Sequence, residues 1–577
     1  MASLSDRRWV IAPSPPAENL EALAAAGVHP VLARILCQRG YTDPPGARSF
    51  LEPYEYGEDD NPFRLKGMAE AVFRLRMAIR RGEPVAVYGD FDCDGVTSTV
   101  LLTSVLRLMG ADARPYIPDR VDEGYGLNTP ALVRLADEGV RVVVTVDCGI
   151  RSLEEVAAGS AAGLDIIITD HHSVGSDVPP ALAVINPQQP DCPYPEKRLA
   201  GVGVTYKLVQ ALYMEAQRRG YRVGEGWHPD DWLDLVAVGT VADVMPLEGE
   251  NRMLVKRGLN RLRSPRLPGL QALYSVARIR PDQVGASTIG FGIGPRINAA
   301  GRLDSAMRAY DLLVAGTLAE ALPLAQELDA INRERQEKTR LMQEWAEEQL
   351  GDDPSGLPLL FAEDSRFEQG VVGLVASRLA QRYYRPSVVV QRGEDGESHG
   401  SCRSIPEFHI TRALEECAAL LVRFGGHAAA AGFTVRNEHL KPLRERLLSI
   451  AAGRLQGRDL APALHIDAEL GLADVTHTLA EALEQLEPTG EGNPQPLFLT
   501  RGLSVSQAQL IGAEEQHLRL TVTDGSLACE AIAFRWGTRV DDLPGRLDLV
   551  YHVEQDEWNG KRRLPLNVRD IGASEEA

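Results

Sequence analysis

The chain has 577 residues, which excludes a single hydrophobic core and predicts several domains. Its 44% hydrophobic and 25% charged residues are typical of a folded protein and exclude extended disorder. Its formal net charge of −20 at pH 7 argues against general attraction to a polyanion. Binding of a nucleic acid would therefore need locally concentrated positive charge, and metal ions bound at an acidic site would help to provide it.

Three short apolar strands, each ending in an acidic motif, follow a largely helical N-terminal segment of 60 residues. The strands are predicted at 84–88, 141–146 and 165–169, with helices at 96–109 and 152–162. The motifs that follow the strands are Gly89-Asp90-Phe91-Asp92-Cys93-Asp94-Gly95, Asp147-Cys148-Gly149 and Asp170-His171-His172. Strands that alternate with helices predict a parallel sheet, and ligands bind beyond the carboxyl ends of such strands. We therefore expect the three motifs to meet at one edge.

Carboxylates and imidazoles gathered at one edge predict a divalent metal site, because like charges a few ångströms apart repel unless cations balance them. Asp243, the one acid of the apolar segment 235–247, is a fourth candidate, since a buried carboxylate needs a partner. Taken singly, each Asp has the alternative of a helix cap or a turn residue. An EF-hand loop starting at Asp90 is excluded because its twelfth position, which requires Glu, is Leu101.

Substrate phosphates need cationic and backbone donors, and several candidates stand beside glycines that allow close approach. These candidates are Arg120, Arg296, Arg302, Ser401, Arg403, Ser404 and His427. Tyr125 is a candidate for stacking on a base. The alternatives are solvated arginines, a structural histidine and a tyrosine that packs in its own loop.

The second half of the chain changes character twice. The segment 317–350 is rich in helix-forming residues, with Pro323 as its one interruption, and predicts a single long helix between two domains rather than a coiled coil. Alternating residues at 517–523, 527–534 and 547–553 predict a small β-barrel of OB type, which commonly grips single-stranded nucleic acid. The candidate contacts are Arg535, Trp536, Lys561, Arg562 and Arg563. A merely structural barrel is the alternative.

Membrane and redox signals point to an ordinary intracellular protein. The sequence has no run of about 20 apolar residues and no apolar segment of signal-peptide length at its start, so we expect a cytoplasmic protein without a membrane span. Its seven cysteines form no CxxC pair and have no zinc-ligand spacing. They are expected to be small buried residues or reduced thiols.

Four motifs taken together resemble those of the DHH phosphoesterase superfamily, and their order and spacing resemble the RecJ family most closely. They are Gly89–Gly95, Val146–Ile150, Thr169–His172 and Gly239–Leu247. The likeness continues through Ala200–Gly203 and Gly294–Leu303. Three further segments resemble the DHH-associated domain, namely Gly370–Arg378, Gly400–Ser404 and Gly425–Gly432. The resemblance spans nearly the whole chain.

This resemblance implies a site, an activity and partners. Two Mn²⁺ or Mg²⁺ ions would be held by Asp92, Asp94, Asp147, His171 and Asp243, with Asp147 as the bridge. The catalytic candidates are Asp90, Asp147 and His172, of which His172 would hold the scissile phosphate or protonate the leaving group. The implied activity is 5′-to-3′ degradation of single-stranded DNA to 5′-mononucleotides, in recombination and repair. Single-strand-binding protein and a RecQ-like helicase are the implied partners of a monomer.

We therefore expect an α/β multidomain protein. The predicted parts are an N-terminal helical segment (1–60), a DHH core with a mainly parallel sheet (61–312), a connecting helix (313–352), a DHHA1 α/β domain (353–460) and an OB-like barrel (461–577). Two alternatives share the core. Enzymes for small substrates, such as pyrophosphatases, oligoribonucleases and cyclic-dinucleotide phosphodiesterases, usually lack the barrel. A replication scaffold without enzymatic activity would have eroded acidic motifs, whereas all of them are intact here.

Overall fold

The computed structural model describes residues 3–52, 57–120, 123–220, 226–558 and 561–574. The chain forms two compact units. Unit 1 combines residues 1–54 with 461–577, and unit 2 comprises residues 55–460. Among the described residues, no helix has the length and apolar character needed to cross a bilayer.

Helices and strands are numbered here in chain order. The helices are α1 (Ala17–Ala25), α2 (Pro30–Gln38), α3 (Pro44–Leu51), α4 (Met68–Arg81), α5 (Cys93–Leu108), α6 (Thr129–Asp137), α7 (Leu153–Ala161), α8 (Gly201–Arg218), α9 (Leu233–Ala242), α10 (Gly249–Leu262), α11 (Pro268–Ala277), α12 (Ala286–Thr288), α13 (Gly294–Leu303), α14 (Met307–Val314), α15 (Leu318–Leu350), α16 (Val372–Tyr383), α17 (Ile410–Glu415), α18 (Leu440–Leu455) and α19 (His477–Glu484). The strands are β1 (Arg8–Ile11), β2 (Val85–Gly89), β3 (Ala113–Tyr116), β4 (Val142–Val146), β5 (Asp165–Thr169), β6 (Ala183–Ile185), β7 (Leu360–Asp364), β8 (Ser387–Arg392), β9 (Glu397–Arg403), β10 (Leu421–Gly426), β11 (Ala430–Arg436), β12 (Ala463–Ile466), β13 (Ala468–Glu469), β14 (Phe498–Ile511), β15 (His517–Thr523), β16 (Ala528–Ala533), β17 (Arg546–Val553), β18 (Asp556–Trp558), β19 (Lys561–Arg563) and β20 (Leu566–Ala573).

The first sheet of unit 2 is wholly parallel, with strand order β3-β2-β4-β5-β6. Every residue of β2 and β4 is buried, as expected for parallel strands covered on both faces. Helices α6 and α7 pack on one face, and α5, α8 and α9 pack together, with α5 and α8 against the sheet. The three central strands end beside one another, because Gly89 pairs with Val146 and Val146 pairs with Thr169. The predicted parallel sheet is confirmed.

A long helix precedes the second sheet of unit 2. Helix α15 has 33 residues, about 50 Å at 1.5 Å per residue, and begins with a capping box between Thr317 and Glu320. The sheet that follows has order β10-β11-β9-β8-β7, in which only β7 and β8 are parallel. Helices α15 and α16 pack on one face over β7 and β8. Helices α17 and α18 pack on the opposite face. The predicted long helix and second α/β domain are confirmed.

Unit 1 contains a closed barrel of five strands, formed by β14, β15, β16, β20 and β17, with β14 pairing again with β17. This barrel confirms the predicted OB-like fold. Leu23, Leu32 and Leu36 of the first two helices share its hydrophobic core with Phe498 and Leu518. Strand β1 also pairs in parallel with β12. The N-terminal residues and the barrel therefore fold as one unit.

Candidate active site

An acidic cluster lies where the three central strands of the parallel sheet end. It comprises Asp90, Asp92, Asp94, Asp147, His171 and Asp243. The ligand-type atoms of three overlapping groups lie within 4.8 Å of one another: Asp90 with Asp92 and Asp147, Asp94 with His171 and Asp243, and Asp147 with His171 and His172. The Nε2 atom of His171 is 3.1 Å from Asp147 Oδ1, 3.5 Å from Asp243 Oδ2 and 3.9 Å from Asp94 Oδ2. The structure thus brings all the predicted ligand residues together.

Backbone groups hold these carboxylates in place. One oxygen of Asp92 caps α5 by accepting the backbone N–H groups of Asp94 and Gly95. Both oxygens of Asp94 accept N–H groups from the first turn of α8, at 2.7 Å from Gly201 and 2.8 Å from Val202. These bonds aim the remaining lone pairs of Asp92 and Asp94 at the cluster.

Asp147 is positioned by a close approach between α8 and the end of β4. Its φ of 63° lies in the left-handed region, which is uncommon for any residue except glycine. Gly201 packs directly on it, because a Cβ added to Gly201 would lie 2.6 Å from the Asp147 Cβ and Oδ1 atoms. A glycine at position 201 is therefore needed for Asp147 to occupy the centre of the cluster.

Burial makes the cluster electrostatically unfavourable without cations. Burial, followed by the charge of Asp92, raises the pKa of Asp94 to about 7, and burial, followed by the charge of Asp94, raises the pKa of Asp243 to about 9. The same causes raise the pKa values of Asp90 and Asp147. Burial, together with the charge of His172, lowers the pKa of His171 to about 4, which keeps its imidazole neutral and able to bind a metal.

Buried ligand-type atoms of the cluster, among them Asp90 Oδ1, Asp147 Oδ1 and His171 Nε2, make no hydrogen bond within the described part of the chain. Unpaired buried polar atoms are costly, whereas carboxylate oxygens and an imidazole nitrogen are suitable ligands for Mn²⁺ or Mg²⁺. The donor set therefore fits divalent cations of this kind.

His172 lies beside the cluster and is oriented by Asp170. Its Nδ1 atom is 2.8 Å from Asp170 Oδ1 and 3.9 Å from Asp147 Oδ1. Although burial lowers the pKa of His172, the hydrogen bond and charge of Asp170 outweigh it and raise the pKa above its ordinary value. Asp170 also accepts backbone N–H groups from Ile150, His171 and His172. The Tyr125 hydroxyl is 3.1 Å from His172 Nδ1.

An arginine cluster lies near enough to the acidic cluster for the charges of Asp90 and Asp92 to act on Arg120 and for that of Asp92 to act on Arg302. It comprises Arg120, Arg302, Arg335 and Arg403, and burial together with the charges of the other three lowers the pKa of Arg302 below its ordinary value. Arg302 and Arg120 line a cavity of about 500 Å³, in which Arg302 donates to the Gly370 carbonyl and Arg120 donates to the Gly301 carbonyl. Arg403 donates to Ser401 Oγ at 3.3 Å. Like charges gathered in this way are suited to an anion.

The remaining predicted residues lie in two places. Tyr125, His172 and His427 line one cavity of about 460 Å³, so the two sheets of unit 2 both contribute to it. Arg296 is held instead by Asp329, to which its Nε and Nη2 atoms donate at 2.9 and 2.8 Å. Arg296 is absent from the described lining of the Arg302 cavity.

Three residues that support the site were not among the sequence candidates. Asp170 is part of the Asp-His-His motif, which was the available signal for it. Asn298 accepts the Cys93 backbone N–H at 2.7 Å and so links α13 to the start of α5. Arg335 belongs to the long helix, and nothing in its sequence neighbourhood separates it from the solvated arginines around it.

One expectation for the barrel is wrong. Trp536 was a candidate for contact with nucleic acid, but it is only 8% exposed and packs in the barrel core, where Arg539 lies over its ring. Its neighbour Phe534 is 51% exposed and contacts His517. The fold therefore shows which of these two rings is buried, and the sequence did not.

The fold and the site define a DHH phosphoesterase. The model described as "DHH family, N-terminal domain" matches residues 84–240, "DHHA1 domain" matches residues 356–456, and "RecJ OB domain" matches residues 466–570. These matches cover the parallel sheet with its acidic cluster, the second sheet of unit 2 and the barrel of unit 1.

Whole-chain relatives identify the family. The single-stranded-DNA-specific exonuclease RecJ of Bacillus subtilis is 36% identical, over 99% of this chain and 71% of the relative. That of Escherichia coli K12 is 35% identical, over 95% of this chain and 96% of the relative. The chain therefore belongs to the RecJ family, as the motifs predicted.

Two solved structures bear on the metal. The crystal structure of RecJ in complex with Mn²⁺ from Thermus thermophilus matches with a TM-score of 0.84 and 32% identity, over 99% of this chain and 81% of that chain. The corresponding complex with Mg²⁺ matches with a TM-score of 0.78 and 30% identity, over 99% and 79%. Together with the donor set of the acidic cluster, they confirm the prediction of Mn²⁺ or Mg²⁺ as cofactor.

Proposed function

We propose that this chain is a metal-dependent exonuclease that degrades single-stranded DNA from the 5′ end, releases 5′-mononucleotides and acts in DNA recombination and repair. The observation that carries the proposal is the acidic cluster, with its unpaired ligand atoms, near the arginine cluster in the same unit. The names of the relatives supply the substrate and the family resemblance supplies the polarity.

In this proposal Asp92, Asp94, Asp147, His171 and Asp243 hold two Mn²⁺ or Mg²⁺ ions, with Asp147 shared between them, and Asp90 lines the site. Bound cations would activate water and stabilise the charge that develops on phosphate oxygens. The supporting geometry is the overlap of the three ligand groups at Asp147 and His171.

His172 holds the scissile phosphate or protonates the leaving oxygen. Its Nδ1 atom lies 2.8 Å from Asp170 Oδ1, and donation of the ring N–H to this carboxylate favours the protonated imidazole. The same ring lies beside the acidic cluster, with Nδ1 3.9 Å from Asp147 Oδ1. Tyr125, with 56% of its surface exposed, is placed to stack on a base in the same cavity.

Substrate phosphates bind to Arg120, Arg302 and Arg403, with Ser401 as a hydroxyl donor and His427 on the cavity beside His172. Arginine binds phosphate through two parallel hydrogen bonds, and four neighbouring guanidinium groups lower the free energy of an anion between them. Arg296, paired with Asp329, would support the fold around α13 and reach a phosphate only by leaving that carboxylate.

The parallel-sheet domain (61–312), the DHHA1 domain (353–460) and the OB-fold domain (461–577) are the proposed functional divisions, linked by 313–352 and preceded by 1–60. A monomer in the cytoplasm that works with single-strand-binding protein and a RecQ-like helicase completes the proposal. Its support is the resemblance to the family.

A labelled strand tests the activity. A 5′-labelled single strand is incubated with Mn²⁺ or Mg²⁺ and with wild type, Asp147→Asn or the control Asp137→Asn, which changes an exposed carboxylate at the end of α6. We expect wild type and Asp137→Asn to release labelled mononucleotide and Asp147→Asn to release none. Release by Asp147→Asn, or no release by wild type, would overturn the proposal.

A further inference from the structure

The cavity beside His172 has charged residues on its wall that have no role in the proposed function. This cavity of about 460 Å³ is lined by Tyr125 and His172, and also by Arg151, Ser152 and Glu155. Arg151 and Ser152 directly precede α7, and Glu155 lies in the first turn of that helix. A volume of this size is within the usual range for a small-ligand site.

Ser173 fixes the guanidinium group of Arg151 by one edge. Arg151 Nε donates to the Ser173 carbonyl oxygen at 3.0 Å, and Nη2 donates to Ser173 Oγ at 2.6 Å. The second edge, formed by Nη1 and Nη2, has no acceptor in the part of the chain that the structure describes. A guanidinium held in this way presents two parallel N–H donors to a ligand.

Glu155 supplies acceptors on the same wall. Opposite charges four residues apart commonly pair near a helix, but Arg151 bonds to Ser173 instead. The Glu155 carboxylate makes no hydrogen bond or ion pair within the described ranges. The cavity therefore offers a pair of donors and a pair of acceptors beside the ring of Tyr125.

This combination disfavours a phosphate and fits a guanine base. A carboxylate on the wall repels a phosphate, whereas a planar base carries no charge and stacks on an aromatic ring. Guanine has two adjacent acceptors, N7 and O6, which an arginine binds through two hydrogen bonds. It also has two adjacent donors, N1–H and the 2-amino group, which match the two oxygens of a carboxylate. Thymine offers neither pair.

We propose that Arg151 and Glu155 read the base of the nucleotide that is being removed and that they favour guanine. Tyr125 stacks on that base, Arg151 donates to its N7 and O6 atoms, and Glu155 accepts from its N1–H and amino groups. The terminal nucleotide reaches this cavity because either role proposed for His172 lies at the 3′ oxygen of that nucleotide. The inference rests on the proposed function and deepens it by adding a preference among single strands.

Strands that differ only in their first nucleotide test this preference. Each substrate is a 5′-phosphorylated oligothymidylate whose first base is guanine, adenine, cytosine or thymine, and two strands compete in one reaction, so that the product ratio gives the ratio of kcat/KM values. We expect wild type to favour guanine over thymine about tenfold, as for one contact of two hydrogen bonds. Arg151→Met and Glu155→Gln should each lower this ratio roughly threefold or more, while release of the thymine nucleotide stays at the wild-type rate.

A modified base tests the same contact without changing the protein. 7-Deazaguanine lacks N7, so a strand that begins with it should lose part of the preference in wild type and lose nothing further in Arg151→Met. A merely structural role of Arg151 would not couple this side chain to one atom of the base. The comparison of guanine with 7-deazaguanine needs only wild type, so it holds even if a variant fails to fold.

The matched controls are Glu154→Gln, an exposed carboxylate in the same helical turn, and Arg141→Met, an exposed arginine directly before β4. Both should keep the wild-type ratio. Equal release of the four nucleotides by wild type would overturn the inference. A loss in Arg151→Met that is the same for every first base would also overturn it, because Arg151 would then bind a phosphate. A wild type that releases no nucleotide from any strand would instead overturn the proposed function.

Discussion

The acidic cluster and the arginine cluster are both groups of like charges in unit 2, yet they are assembled differently. The acidic cluster comes largely from residues that directly follow three neighbouring parallel strands, so the topology of one sheet brings them together. The arginine cluster draws on a loop, on α13, on α15 and on β9, which are spread between residues 120 and 403.

The two clusters therefore depend on the rest of the fold to different degrees. Strand ends in a parallel sheet are fixed by hydrogen-bond register, and backbone N–H groups hold the carboxylates. The arginines depend instead on the packing of α15 against α13, α16 and β7. Small changes at a strand end should therefore damage chemistry, whereas changes in the arginines should damage substrate affinity.

The largest effect is expected from Gly201→Ala, which removes no ligand. The added Cβ would lie 2.6 Å from the Asp147 side chain and force it to move, and a misplacement of about 1 Å lowers rates on the order of a hundredfold. Steady-state cleavage should show this loss in kcat. Gly203→Ala is the control two residues on, since its Cβ would meet Leu199 at an ordinary 3.4 Å. Equal activities of the two variants would contradict the positioning role of Gly201.

A smaller effect, of another kind, is expected from Arg302→Met. Loss of one guanidinium from the arginine cluster should raise KM for single-stranded DNA about tenfold, while thermal stability stays the same or rises because repulsion among the arginines falls. Arg340→Met, on the exposed side of α15, is the control. A fall in kcat without a change in KM would show that the arginines act on the chemistry instead.

Asp170 and His172 should act as one unit. Asp170→Asn and His172→Ala should each lower kcat, by about tenfold for Asp170→Asn, and the double variant should be no worse than His172→Ala, because the role of Asp170 passes through the 2.8 Å contact. A double-mutant cycle measures the coupling. Additive losses would mean that Asp170 has a separate task.

The sequence predicted the acidic cluster well for a physical reason. Each motif directly follows an apolar run, and the parallel arrangement of such runs needs no long-range information beyond the alternation of strands and helices. The role of Arg335 and the pairing of Arg296 with Asp329 could not be predicted from the sequence, since both depend on where α15 packs. The sequence also did not predict that residues 1–54 form one compact unit with the barrel, because β1 and β12 pair across more than 400 residues of chain.

The smallest effect on activity is expected from a buried acid outside the cluster. Burial raises the pKa of Asp234, at the start of α9, to about 6. Because this pKa lies above that of the unfolded chain, ionisation of Asp234 opposes folding, and stability should fall as pH rises from about 4 to about 6. Asp234→Asn should therefore stabilise the protein by about 1 to 3 kcal/mol at pH 8, give no gain at pH 3.5, and leave kcat unchanged.

Denaturant unfolding at both pH values, with the exposed Asp137→Asn as reference, measures this stabilisation. A gain of equal size at both pH values would show that the charge of Asp234 is not its cause. Loss of activity in Asp234→Asn would instead mean that Asp234, a buried acid outside the acidic cluster, also supports catalysis.

The central claim is that the acidic cluster holds divalent cations, and direct titration of the protein with Mn²⁺ tests it without substrate. We predict saturable binding in wild type and in Asp137→Asn, accompanied by a rise in melting temperature because the bound cation stabilises the folded state. Asp147→Asn, which changes the carboxylate shared by two of the ligand groups, should lose most of this binding. Binding of Mn²⁺ by Asp147→Asn with wild-type affinity and stoichiometry would contradict the account.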